Sequence, residues 1–359
     1  MARRSVMLMV GTKKGAYLFR SGAARTRWTS EGPIFPGEPV FHMAHDPRDG
    51  ESLYAACNFT WGGPKIRASR DLGKTWKVVG NPAFPEGDDR TFARTWHIEP
   101  GHASTPKVVW AGVEPAALFR SDDRGASWKP VSGLNDHPTR KKWEPGGGGL
   151  ALHSIGIDAG DAKHMAIGIS AAGAFESTDG GATWHPWNEA TRAEHLPNKK
   201  PEIGQCVHKL LAHPTRPGEW YQRNHFGVYW RRDGDREWQE TTEGLPTEYG
   251  FAGATHPEDA DTAYTIPLDP YLRIAQQPGL AVYRTGDRGK TWKRMGKGIP
   301  KGATAEVMRE GMATDRLDPL GVYFGTINGE VWASNDDCRS WERIAEYLPP
   351  ILSVSTATV

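Results

Sequence analysis

Hydrophobic and polar positions alternate along most of the chain in short runs, separated by clusters of Gly, Pro, Asn and Asp. A period of two predicts half-buried β-strands, not helices. From residue 150 the pattern predicts four strands: Leu150–Ile157, His164–Ile169, Ala174–Ser177 and one opening at Trp184. The same quartet recurs over Val307–Ala313, Gly321–Gly325, Glu330–Ser334 and Trp341–Ala345. Ser5–Val10, Ala16–Arg20 and the segment at Trp28 make a set that lacks its first member, whereas Ile351–Ser355 is a strand with no set of its own.

A polar motif punctuates each set. Ser69-Arg70-Asp71-Leu72-Gly73-Lys74-Thr75-Trp76 recurs with its Ser, Asp, Gly, Ser/Thr and Trp in place at residues 121–128, 177–184 and, opening with Thr, 285–292. At 334–341 Cys338 stands where Gly is expected, and degenerate copies end at Trp28 and Trp238. The seven tryptophans are 48, 52, 56, 54, 54 and 49 residues apart. A period near 50 built from four strands and a turn predicts an all-β, seven-bladed β-propeller, one domain over residues 1–359. The lone C-terminal strand is expected to complete blade 1 as its inner strand, which removes the free edges at the seam.

The S/T-x-D-x-G-x-S/T-W motif resembles the Asp-box, or BNR repeat, of sialidases, sortilin-type receptors and related propellers. Its chemistry is local. The Asp and Ser/Thr oxygens accept from the turn's own N–H groups, Gly supplies positive φ, and Trp staples the turn to the blade. The resemblance to sialidases implies three arginines on a substrate carboxylate, a Tyr/Glu pair, an acidic Asp and an N-terminal Phe/Tyr-Arg-Ile-Pro motif. Tyr271-Leu272-Arg273-Ile274 lies in the wrong blade and lacks the Pro, so the repeat scaffold is shared and the sialidase site is not.

In a propeller the inner strands line a central channel, and the loops leading into them share one face with the hairpins that follow the second strands. Aligning the inner strands on the turns that end them puts Phe41, Arg94, His153, His208, Phe251 and Glu310 at one depth. His42 and His97 fall at odd offsets and are expected to point away. The hairpins add Trp61, Glu114, Asn224, His225 and Asp269 to the same rim. The long loop from Pro130 to Gly149 adds Asp136, His137 and the run Gly146–Gly149, read as a lid or a close-packed turn. His153, His208, Glu114 and Glu310 are the candidate acid/base groups. Arg94, Arg309, His225, Asn224, Asp136, His137, Asp269 and Trp61 are the candidate substrate contacts. His153 and His208 are also candidate ligands for a divalent metal such as Zn, Mn or Fe.

Composition narrows the partners. The 359 residues carry 44 Lys plus Arg against 43 Asp plus Glu, so a nucleic-acid groove is not expected. Three widely spaced cysteines exclude a disulfide framework and any CxxC knuckle. The apolar run Val6–Val10, next to the basic start of the chain, is shorter than the roughly 7–15 residues of a secretory core and than a membrane span, so a cytoplasmic protein is expected. Two functions remain open. One is a hydrolase or lyase for a small polar substrate, glycoside-like or anionic, with or without metal assistance. The other is a non-catalytic scaffold that holds a protein partner.

Overall fold

The computed structural model describes residues 5–59 and 61–359; the basic residues Arg3 and Arg4 lie outside that range. Seven four-stranded antiparallel sheets form the blades of a closed ring. The inner strands are Ile351–Thr358 in blade 1, Val40–His45 in blade 2, Arg94–Pro100 in blade 3 and Leu152–Ile157 in blade 4. Val207–Ala212, Gly253–Thr255 and Met312–Thr314 follow in blades 5, 6 and 7. Ring closure is as expected: Ile351–Thr358 pairs antiparallel with Ser5–Thr12 along its length. Among the described residues no helix is long and apolar enough to cross a membrane.

The core lies between blades. One cluster joins Trp110 and Leu118 of blade 3 to Leu152, Ile167 and Phe175 of blade 4, and another joins blades 6 and 7 through Tyr264, Val282, Phe324 and Trp332. Second strands such as Met165–Ile169 are therefore buried on both faces and read as continuous apolar runs. Blades approach so closely that a Cβ at Gly112 would sit 2.4 Å from the Leu152 carbonyl oxygen of the next inner strand.

All five good Asp-boxes make the same bonds. In blade 3, Ser121 Oγ accepts from Gly125 N–H at 2.7 Å and donates to Asp123, whose carboxylate accepts from the N–H and hydroxyl of Ser127. These hydrogen bonds hold Asp71, Asp123 and Asp179 down to about 2. The Trp128 indole N–H then reaches back to the Gly80 carbonyl of the preceding blade at 2.8 Å, and Trp292 and Trp341 do likewise. The Asp-box turns share a face with the turns that end the inner strands, as when Arg124 bonds Asp49. We call this the Asp-box face and the other the loop face.

The expected depth alignment is corrected by β-bulges. Pairing skips one residue at Phe41, Trp96, His153 and His208, each near the start of its inner strand. An extra residue reverses the alternation beyond it. His42, His97 and Lys209 therefore face the channel, contrary to the parity expected for the two histidines. Blade 3 is also displaced by two residues, because Pro100 is still paired within its strand whereas Pro47 lies beyond its own. Trp96, not Arg94, is the equivalent of Phe41.

Candidate functional site

Glu310, at the head of the blade 7 inner strand, lies across the ring from blades 2, 3 and 5, and its side chain meets three partners in the channel. Lys209 Nζ is 2.5 Å from Oε2, His97 Nδ1 is 3.3 Å from Oε1, and His42 Nε2 is 3.6 Å from Oε2. The far nitrogen of His97, Nε2, is 3.2 Å from Glu99. His42 and His97 stack with ring centres 4.2 Å apart. All of this group except Glu99 is buried.

Mutual proximity pushes these groups apart in pKa. Burial alone would raise the Glu310 carboxyl, but Lys209, His97 and His42 hold it well below the usual carboxylate range. Burial opposes the His97 imidazolium, yet Glu310 and Glu99 raise its pKa above the ordinary value. Burial, with the positive charge of His97 beside it, keeps His42 well below that value. An ionised carboxylate only accepts, so His97 donates from both nitrogens when it is charged. His42 accepts the Ile98 N–H at Nδ1 and so carries its proton on Nε2, toward Glu310.

The group lines a cavity of about 310 Å³, whose wall also includes Ala212, Thr255, Thr314 and Thr356. His45, Pro214, Thr314 and Thr356 are shared with a second hollow that runs out past Pro47 and Pro257. Those prolines sit in the turns that end the inner strands, so the cavity opens on the Asp-box face. The expectation of a mouth among the long loops is corrected.

On the loop face the glycine run packs against side chains from blades 3, 6 and 7. It enters between blades 3 and 4, yet a Cβ at Gly149 would lie 2.5 Å from Glu114, and those at Gly148 and Gly147 would lie 3.4 and 3.7 Å from Arg309 and Arg273 of blades 7 and 6. Gly149 has φ +88°, which a side chain would strain, and a Cβ would also collide with the Glu114 carboxylate. The run is a close-packed turn on Glu114 and Arg309.

The sequence candidates therefore separate. Glu310 alone reaches the cavity. Glu114 pairs with Arg94 at 3.1 Å and accepts from the Trp96 indole at 2.8 Å beneath the glycine turn. Arg309 is buried with its guanidinium 4.9 Å from the Phe251 ring centre. His153 is sealed between blades, with Nε2 bonded to the Val207 carbonyl and Nδ1 to Ser154 Oγ, so neither nitrogen is free for a metal or a proton. His208 bonds the Gly250 carbonyl through Nδ1 at 2.7 Å and lies beside His225, which burial pushes down to about 4. Asn224 is buried and caps the His225 N–H. His137 is buried against Trp143 and Phe175 and bonds Thr139, while Asp136 is exposed beside it. Asp269 accepts from Tyr271 N–H, Leu272 N–H and Gln276, and so organises its own turn. Trp61 is 89% exposed.

His42, His97, Glu99 and Lys209 were not among the sequence candidates. A signal for three of them lay in the dipeptides Phe41-His42, Trp96-His97 and His208-Lys209. In each, a bulky bulged residue precedes the one that faces the channel.

Comparison with known proteins bears out the repeat. Models of the BNR-Asp box repeat and the BNR/Asp-box repeat match residues 118–131 and 175–186. The chain carries BNR repeats on a seven-bladed propeller. A xyloglucanase of Hypocrea jecorina is 26% identical over 40% of this chain and 18% of its own length. A probable oligoxyloglucan-reducing end-specific xyloglucanase of Neosartorya fischeri is 23% identical over 70% of this chain and 33% of its own. The chain thus spans a third or less of these curated relatives. Among solved structures, the GH74 xyloglucanase from Xanthomonas campestris superposes with a TM-score of 0.65 at 19% identity, covering 99% of this chain and 53% of that one. YCF48 bound to D1 peptide gives 0.54 at 13%, covering 96% of this chain and 86% of that one. The sequence similarity is to glycosidase-like hydrolases; the structural similarity is one of fold.

Proposed function

We propose that the protein is a glycosidase-like hydrolase whose active site is the channel cavity on the Asp-box face. The observation that carries this is the Glu310–His97–Glu99 chain: a buried carboxyl held well below the usual carboxylate range by its cationic neighbours, an imidazole with raised pKa, and a carboxyl at the cavity wall. Groups whose pKa values are pushed apart within one open cavity are suited to acid–base work. Glu310 fixes the ring through Nδ1, and Nε2, bonded to Glu99, passes a proton between the ring and that carboxyl, which meets the bound hydroxyl or water. Glu99 offers the second carboxyl. Its distance from Glu310 spans one imidazole and two hydrogen bonds, on the order of the 6.5–9.5 Å between acid and base in inverting glycosidases. About 310 Å³ is near the lower end of the roughly 300–1,000 Å³ of ligand pockets. The fitting substrate is one sugar unit or a similarly small polyol, not a polymer lying along a cleft.

The test is turnover of a panel of nitrophenyl glycosides and xyloglucan oligosaccharides by wild type, Glu99→Gln and His97→Asn. Loss of roughly 10²–10⁴ in kcat with folding retained is expected for each variant. Wild-type rates in both, or no turnover of any panel member by wild type, would overturn it.

A second reading has its own support. Trp61, Tyr271 and Leu272 are 89%, 92% and 69% exposed on the loop face, and YCF48, similar over most of its length, is described with a bound peptide. A peptide-holding scaffold would use that face. On that reading Trp61→Ala/Tyr271→Ala abolishes peptide capture, and wild type turns over no glycoside.

A further inference from the structure

Three groups of His, Cys and acidic side chains among the described residues bring potential ligand atoms within 4.8 Å of one another. Two have no vacancy for a cation. In the group of His42, His97 and Glu310, the Lys209 ammonium already sits on the carboxylate. In the group of Asp158, His164 and Asp233, Asp158 accepts backbone N–H groups from Gly160, Asp161 and Gly218, and His164 is held by Glu176.

The third group, Cys206, His208 and His225, stands at the loop-face end of blade 5, and among the described residues no ion pair occupies its ligand atoms. His208 gives its Nδ1–H to the Gly250 carbonyl at 2.7 Å. That bond fixes the ring and presents the Nε2 lone pair, the arrangement that orients metal-bound histidines. Nε2 faces Cys206 Sγ at 3.5 Å. Zinc bonds of about 2.3 Å to sulfur and about 2.0–2.1 Å to nitrogen, at a tetrahedral angle, separate S and N by about 3.5 Å. The pair already spans that edge. His225, on the hairpin after the second strand, is half-buried beside Tyr249 and Phe226, and its ring makes no hydrogen bond among the described residues. Arg309 lies close enough to influence the thiol, and its buried Nε has no hydrogen-bond partner. A metal-bound thiolate would give that guanidinium a counter-charge.

We propose that Cys206, His208 and His225 bind one Zn²⁺-class transition-metal ion through Sγ, the Nε2 of His208 and a ring nitrogen of His225, leaving a fourth position open. Binding expels the Cys206 thiol proton to solvent. One thiolate and two imidazoles suit a borderline ion, and three protein ligands with an open position are the pattern of reactive rather than structural zinc sites. The site is separate from the cavity around Glu310 and does not rest on the hydrolase reading.

The experiment uses the full chain without a His tag, stripped by chelator dialysis and titrated with Co²⁺. Wild type is expected to bind about one equivalent, with a thiolate-to-Co²⁺ charge-transfer band in the near ultraviolet that Zn²⁺ abolishes by displacement. Cys206→Ser, with its melting transition checked, is expected to lose the band, and His225→Ala to weaken binding at least about tenfold. Glu99→Gln is expected to keep both, which separates this site from the proposed active site. Absence of the band in wild type, or a band unchanged in Cys206→Ser because Cys57 or Cys338 supplies the thiolate, would overturn the assignment.

Discussion

The most consequential single contact is Lys209 on Glu310, an ion pair whose partners are both buried. Removing Lys209 leaves the buried Glu310 carboxylate to His97 and His42 alone, which costs up to about 3–5 kcal/mol, whereas replacing both sides by neutral groups of similar volume is far less harmful. Lys209→Met is therefore expected to lower unfolding free energy by up to about 3–5 kcal/mol in urea titrations, and Lys209→Met/Glu310→Gln to recover most of the loss. Equal destabilisation by single and double variants would contradict the pairing. His42 adds a pH signature. Its folded pKa lies below 6.5, so below that pH the unfolded chain takes up a proton that native His42 refuses. Its stabilising contribution is present above pH 6.5 and is lost as pH falls, by up to about 1.4 kcal/mol per pH unit. The groups facing it, His97, Glu310 and Lys209, remain in His42→Gln, so wild type should lose stability relative to that variant between pH 6.5 and 5, where imidazole ordinarily charges. A constant difference across the range would count against a neutral His42. At this scale Glu310 was legible as a channel residue, but its histidine partners were not. Alternation assigns faces only while pairing is unbroken, and the bulges at Phe41 and Trp96 are set by how inner strands bend, which a one-dimensional pattern does not record.

Among elements, the Asp-box turn and the closing strand carry the architecture. Ser121 Oγ is buried and is the acceptor for the Gly125 N–H. Ser121→Ala orphans that donor and is expected to cost about 1–3 kcal/mol in denaturant unfolding without changing glycoside turnover. An unchanged midpoint would mean that the turn is held by its other bonds. Ending the chain after Pro350 strips blade 1 of its inner strand and exposes the edge of Ser5–Thr12. Such a variant is expected to lose its cooperative melt or to self-associate through that edge. A monomer with wild-type melting would refute closure at this seam. These elements were readable because each has a fixed local chemistry: a carboxylate and a hydroxyl serving their own turn, and a strand left over from its set. The glycine run was readable as a tight turn, but not its reach over Glu114 and Arg309, because contact across a ring leaves no periodic trace.

For the whole molecule, the decisive question is which face meets the substrate. Charge and composition are blind to it, and sequence alignment pointed to the loop face, where the long connections lie. The proposed reading favours the other face, because the glycine turn packs on Glu114 and Arg309 on one side while a second hollow continues the cavity past Pro47 and Pro257 on the other. The curated xyloglucanases are at least about three times the length this chain spans in them. Hydrogen exchange read by mass spectrometry on the Glu99→Gln protein, with and without a panel glycoside that wild type turns over, tests the choice of face most directly. Slowed exchange is expected at residues 97–100, 253–255 and 312–314, where the inner strands reach the cavity. Protection confined to the loop-face segments 58–63 and 269–279 would contradict the account.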